Sequence, residues 1–243
     1  IELKSSNKTH KARHIITQNL NSSGNAIDSR VPLFYNQDLI INICHINKSM
    51  NFLYRNGHFD ELLYVQYGQG TIQSNFGDLL YKEGDFIVIP RGVIWTHKHK
   101  IKTKMLIVES NNPIETPSKY RNKFGQLLEG APYCERDIKI PELNKPNDSK
   151  GKHTIKVRLE NGIQEYIYTN HPFDLVGWDG YYFPWIFNIN DFEPIVGSIH
   201  QPPPVHQTFA SKNFVVCSFV PRLFDFHKKS IPAPYPHSNI DSD

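Results

Sequence analysis

The sequence predicts a mainly β protein, a barrel or jelly roll of about eight short strands with further β-rich chain behind it, and three observations carry that expectation. Aromatic residues make up 12% of the 243 positions and prolines number 17, while stretches of Ala, Leu, Glu and Lys at helical spacing are absent. From Leu39 onward, short runs rich in Val, Ile, Tyr and Phe alternate with turn residues such as Gly68, Gly70, Gly77 and Gly84, the pattern of successive strands. Further on, Asn161-Gly162 separates two alternating runs, a strong hairpin signal because both residues tolerate positive φ.

Taken in order, residues 1–38 are polar and mixed, with Ser22-Ser23-Gly24-Asn25 as a loop signal, and read as an irregular lead-in. Residues 39–140 hold the barrel, whose strands are the runs at 39–46, 51–55, 62–67, 71–76, 78–81, 85–90, 93–99 and 105–109. Pro113 to Arg121 leads into a short helix expected near Tyr120–Leu128. Residues 141–170 read as a linker and a β-hairpin, since Pro141 to Lys152 is the most linker-like stretch and Asn161-Gly162 follows it. Residues 171–243 are dense in Trp, Tyr, Phe and Pro, with a strand-like run at 213–220. There is no repeat of fixed period.

Composition excludes several classes of function. The net charge is +3 and the basic residues are scattered, so no nucleic-acid partner is expected. Apolar runs such as Phe214 to Phe219 fall far short of the roughly 20 residues that span a bilayer, and IELKSSNKTH has no signal-peptide core, so no membrane role is expected. Cys44, Cys134 and Cys217 are odd in number and widely spaced, which suits a reducing, cytoplasmic compartment.

Two spacings sharpen the fold. Glu61 stands six residues before Gly68, and Gly84 is followed by five residues, Pro90, one residue and Gly92. Glycine permits the tight turns and proline presets φ between them. These spacings resemble the cupin family, which implies a cupin-like jelly roll, or double-stranded β-helix. A metal-binding cupin also needs two histidines before the Glu and one after the last Gly, because three imidazoles and a carboxylate meet across the barrel. This chain has Asn56, Gly57 and Trp95 near those places, so a barrel without metal is expected. A rival set of ligands is His58, Glu61, His97 and His99; Lys98 and Lys100 beside the last two point instead to a solvated basic edge.

Other constellations are weaker. The prolines between His200 and His206 favour an extended conformation that holds the two rings roughly 15–20 Å apart, a structural role. Gly68-Gln69-Gly70 is a hairpin and no dinucleotide fingerprint, and no nucleophile elbow, zincin motif or phosphate loop occurs. Cys134 reads as a small buried residue. His237, held among Pro232, Pro234 and Pro236 beside Tyr235, is a candidate imidazole for acid–base work near neutral pH.

Several blocks together resemble the homogentisate 1,2-dioxygenase family, its bacterial branch in particular: HFDELLYVQYGQGTI, GDLLYKEGDFIVIPRG, KYRNKFGQLLEGAPYCERDIKIP, GWDGYYFPWIFNINDFEPI, HQPPPVHQTF, NFVVCSFVPRLFDFH and IPAPYPHSN. They run in order from about residue 40 to the last residue. The resemblance implies an Fe(II)-dependent, extradiol-type enzyme of tyrosine and phenylalanine catabolism that cleaves the ring of homogentisate with O2 to give maleylacetoacetate. It implies a metal-free N-terminal barrel and makes 171–243 the start of a second, incomplete β domain, truncated before the iron ligands, which are expected beyond residue 243. It assigns one catalytic residue here, His237, as acid/base on the substrate hydroxyl. A homo-oligomer, trimer or hexamer, is implied as well. The alternatives are a metal-free cupin acting in binding or assembly, an inactive fragment, or a dioxygenase for another aromatic acid.

Overall fold

A computed structural model describes residues 14–20, 22–194 and 206–220. Its strands are β1 (Arg30–Tyr35), β2 (Leu39–Ile46), β3 (Leu53–Asn56), β4 (Asp60–Tyr67), β5 (Gly70–Ser74), β6 (Gly77–Tyr81), β7 (Asp85–Ile89), β8 (Ile94–His99), β9 (Thr103–Ser110), β10 (Ile138–Lys139), β11 (Lys150–Leu159), β12 (Gly162–Asn170), β13 (Trp185–Asn188), β14 (Gln207–Ala210) and β15 (Val215–Cys217). All eight runs expected between residues 39 and 110 form strands. They divide between a seven-stranded sheet, in the order β1-β2-β9-β4-β7-β13-β10, and a six-stranded sheet, in the order β12-β11-β3-β8-β5-β6.

Alternation explains how the sheets close on one another. Leu63 and Val65 of β4, Ile87 and Ile89 of β7 and Met105 and Ile107 of β9 share one core with Tyr54, Ile72, Leu79, Tyr81 and Trp95 of the second sheet. Period-2 side chains put those residues on the inner faces, and the result is a cupin-like jelly roll. Every residue of β7 is buried because its outer face is covered too. Phe86 and Val88 pack there with Leu62, Ile114, Tyr120, Tyr133, Phe187, Phe192 and Phe209. The motif glycines do what their spacing predicts. Gly68 has φ +100°, and a Cβ there would lie 2.5 Å from the Lys102 carbonyl oxygen.

Four local expectations differ from the structure. Arg30–Tyr35, placed in the irregular lead-in, is an edge strand paired with β2; its register shifts between Pro32 and Phe34, and proline is tolerated at such an edge. The helix expected near 120–128 is a single 3-10 turn at Ser118–Tyr120. A tight loop follows, in which Asn122 Oδ1 accepts the N–H groups of Phe124 and Gln126, the local competition with helix that Asn side chains offer. The hairpin exists, but Leu159 pairs with Gly162, so its loop is Glu160-Asn161. No non-glycine among the described residues has positive φ, which rules out the primed turn that Asn161-Gly162 suggested.

The fourth difference concerns boundaries. The hairpin does not separate from the barrel, since β11 pairs in parallel with β3 from Ile155↔Leu53 to Arg158↔Asn56. Past residue 171, β13 pairs antiparallel with β7, Trp185 opposite Val88. Phe209 of β14 then stacks edge-on against Phe86, Trp185 and Phe187 at 5.3, 5.3 and 6.0 Å. The described part of 171–220 therefore packs with the outer face of the barrel's seven-stranded sheet.

Candidate functional site

The cupin spacing singles out Glu61, and the structure shows what that residue does. Glu61 lies on the inward face of β4, fully buried. Its cross-strand partner on β9 is Glu109, also buried, so two carboxylates sit side by side in the barrel. Arg30, at the start of β1, joins them: its Nη1 donates to Glu61 Oε1 at 2.5 Å and to Glu109 Oε1 at 2.9 Å. Nε of the same guanidinium donates to the Ala26 carbonyl at 3.0 Å, and its plane lies 5.6 Å from the Tyr54 ring centroid.

Two amides complete the cluster. Asn56 Nδ2 donates to Glu61 Oε1 and to Glu109 Oε1, each at 3.3 Å, while its Oδ1 accepts the backbone N–H of His58 and Phe59. One side chain thus ties the β3–β4 turn to the buried charges. Asn42 of β2 donates to Glu109 Oε2 at 3.4 Å. Arg30 Nη2 and Glu61 Oε2 have no partner among the described residues.

The electrostatics follow from burial. Removal from water pushes the Glu61 carboxyl up; Arg30 pulls it back and Glu109 pushes it further, with a net rise. Burial opposes the charge on Arg30, but Glu61, Tyr54 and Glu109 outweigh it, so the guanidinium is held above its ordinary range. It is a permanent internal cation.

A second polar group occupies the same interior. His97 Nε2 meets the Tyr81 hydroxyl at 2.5 Å, and Tyr81 also donates to Thr103 Oγ1 at 3.5 Å. Burial, followed by the charge of His99, lowers His97 to about 4, and burial raises Tyr81 to about 12. Both are neutral at physiological pH. The solvated basic edge expected at His97 and His99 is therefore corrected: His97 is fully buried, because it shares the inward parity of Trp95 on β8, while Lys98 between the two histidines faces out.

The other candidate ligands do not converge. His58 rests edge-on against Phe59 at 4.5 Å. Trp95 packs edge-on against Tyr54 at 5.4 Å, and Gly57 contributes its backbone N–H to the Arg158 carbonyl. Among the described residues no group of three or more His, Cys, Asp or Glu side chains could hold a metal ion. His206 is buried, with its ring 5.1 Å from Phe219. Cys134 is half-buried, with its N–H bonded to Asp137 Oδ2, and all three cysteines are free thiols. His200 and His237 lie outside the described residues.

Residues 25–189 match the family model described as homogentisate 1,2-dioxygenase N-terminal. The chain belongs to the homogentisate 1,2-dioxygenase family. A protein of Saccharolobus solfataricus provisionally named a dioxygenase is 42% identical over 239 residues, covering 97% of this chain and 62% of that protein. The homogentisate 1,2-dioxygenase of Legionella pneumophila is 27% identical over 180 residues, covering 70% of this chain and 40% of its own length. The human enzyme of that name is 26% identical over 219 residues, covering 86% and 48%. The chain thus spans less than two thirds of each of these homogentisate 1,2-dioxygenase relatives.

Within this member of the homogentisate 1,2-dioxygenase family, the carboxylate that a metal-binding cupin would use is taken by Arg30. Sequence reasoning found Glu61 and Asn56 and missed Arg30, Asn42 and Glu109. Glu109 did leave a signal, as a carboxylate at an inward position of the alternating run 105–109. Arg30 left none, since its strand is short, proline-containing and at the sheet edge.

Proposed function

We propose that the protein is a ring-cleaving dioxygenase that consumes O2 and a small aromatic acid, homogentisate in the first instance, to give maleylacetoacetate. The observation that carries the reading is the family match over residues 25–189, joined by relatives that bear the homogentisate 1,2-dioxygenase name. An Fe(II) cofactor, a place in tyrosine and phenylalanine catabolism, a cytoplasmic location and a homo-oligomer (trimer or hexamer) belong to the same reading. No helix among the described residues is long and apolar enough to cross a membrane.

The described residues do not fit an iron site. Glu61 and Glu109 are engaged by Arg30, His97 by Tyr81, and no group of three His, Cys, Asp or Glu side chains among the described residues could hold a metal ion. The barrel's part in the function is therefore architectural: the sheet that β13 extends carries β14–β15 on its outer face. His237 is the proposed acid/base, taking a phenolic proton as the aromatic acid reacts. A second reading, a metal-free cupin acting in binding or assembly, is favoured by one observation, the arginine that pairs with the buried Glu61 and Glu109.

The test is oxygen uptake by the purified protein supplied with Fe(II), with homogentisate compared against other hydroxylated aromatic acids. Uptake with homogentisate is expected. Uptake with a different acid alone would overturn the substrate, and none with any acid would favour the binding module. His237→Ala should lower kcat by about 10²–10⁴, and a kcat within about threefold of the parent would remove His237 from that role.

A further inference from the structure

The outer face of the six-stranded sheet carries a groove that the proposed chemistry does not use. It lies where β3, β5 and β8 meet the segments 143–154 and 171–175, and it encloses about 490 Å³, within the range of small-molecule sites. Its walls are hydrogen-bonded to one another. Asn147 N–H donates to the Phe173 carbonyl at 2.8 Å and His171 N–H to the Ser149 carbonyl at 3.0 Å, while Asp78 and Glu142 exchange both backbone bonds at 3.0 Å. The cavity is thus built into the fold.

Its lining is one-sided in charge. Lys98, Lys145, Lys152, His153 and His171 contribute, and no Asp or Glu does. None of the three lysines forms an ion pair among the described residues. Of the nearby carboxylates, Asp78 is already engaged by Gln73 and Asn144 amides, and Asp174 acts on His171. The imidazoles are oriented as well. His153 Nε2 donates to the Ser149 carbonyl at 3.1 Å and His171 Nδ1 accepts the Phe173 N–H at 3.1 Å, with the two rings edge-on at 4.8 Å. A neutral His171 must then carry its proton on Nε2, a further donor. Phe173 supplies apolar ring surface in the same groove.

We propose that this groove is a binding site for a small organic anion, a planar molecule bearing a carboxylate. Lysines that lack an ion-pair partner among the described residues repel one another, and an anion bound among them relieves that repulsion. The aromatic lining adds a hydrophobic contact for the planar part. The proposal does not depend on the dioxygenase reading, because none of these residues is assigned to the reaction.

The experiment is isothermal titration calorimetry of the purified full chain with sodium benzoate, against sodium acetate and benzyl alcohol at matched ionic strength. Benzoate is expected to bind saturably, and the double variant Lys98→Gln/Lys152→Gln to weaken it by about tenfold, the scale of one or two surface charge contacts. Lys139→Gln, an exposed lysine on the other sheet, should leave binding unchanged. Absence of saturable binding would overturn the proposal, as would binding that the double variant leaves intact. Benzyl alcohol binding as tightly as benzoate would overturn the requirement for an anion, and acetate binding as tightly would overturn the planar part.

Discussion

Arg30→Ala is the most informative single change. It removes the one cation between Glu61 and Glu109, which face each other across β4 and β9, and it leaves the Asn56 and Asn42 amides as their remaining donors. Breaking a buried ion pair from one side costs about 3–5 kcal/mol, a large share of the 5–15 kcal/mol that holds a typical domain together. The loss depends on pH, with a definite sign. Glu61 is already held above the usual carboxylate range by burial, and without Arg30 it rises further. A raised carboxyl binds its proton more tightly in the folded state, so the folded variant is favoured at low pH and penalised as pH rises through that value. Urea unfolding of parent and variant from pH 4.5 to 8 is the assay. The gap should reach about 3–5 kcal/mol at the upper end and narrow toward the lower. Adding Glu61→Gln to Arg30→Ala should recover part of it. A gap under about 1 kcal/mol at pH 7, or a gap of the same size at every pH, would refute the reasoning: the first would make the pair energetically idle, the second would make Arg30 a packing residue.

His97 gives the opposite slope. Its pKa falls from 6.5 to about 4 on folding, so the unfolded chain binds more protons between those values and stability drops by about 3 kcal/mol as pH falls across that window; His97→Gln should flatten that part of the urea-derived profile, and an unchanged profile would show that His97 does not titrate there. Gly68→Ala should destabilise by more than about 1 kcal/mol in thermal or urea unfolding, because φ is +100° and the new methyl meets backbone at 2.5 Å. Phe209→Ala, which empties a fully buried ring site, should cost about 3–5 kcal/mol and speed amide exchange at 207–210; a cost under about 1 kcal/mol would mean that β14 is not seated by that ring.

How much was legible follows from the physics of each element. The eight strands from 39 to 110 were, because a half-buried strand writes its pattern at period 2 and its ends in glycine. Arg30–Tyr35 was not, since an edge strand with Pro32 and only half-buried or exposed side chains has neither clean alternation nor a long apolar run. The Asn161-Gly162 hairpin was right in kind and one residue off in register, because the pairing of β11 with β3, a contact 102 residues apart in sequence at Val157 and Arg55, outweighs a local turn preference. Glu61 was found by spacing, but its partner was invisible: Arg30 and Glu61 are 31 residues apart, and Arg30 and Glu109 are 79. No local pattern encodes such an encounter. His97 misled for a related reason, as Lys98 and Lys100 advertise the outer face of β8 while His97 belongs to the inner one.

An arginine beside Glu61 has consequences that a metal ion would not share. A metal ion in a cupin barrel leaves coordination positions open and can polarise what binds there, whereas a guanidinium meets carboxylates through fixed, planar donors. Glu61 can therefore stay buried in the barrel, since its charge has a counterion. The cost is a strand: Arg30 reaches the interior only because β1 adds to the edge of the first sheet beside β2. On the outside, β7 packs Phe86 and Val88 against the aromatic cluster around Phe209, and the opposite sheet holds the basic groove.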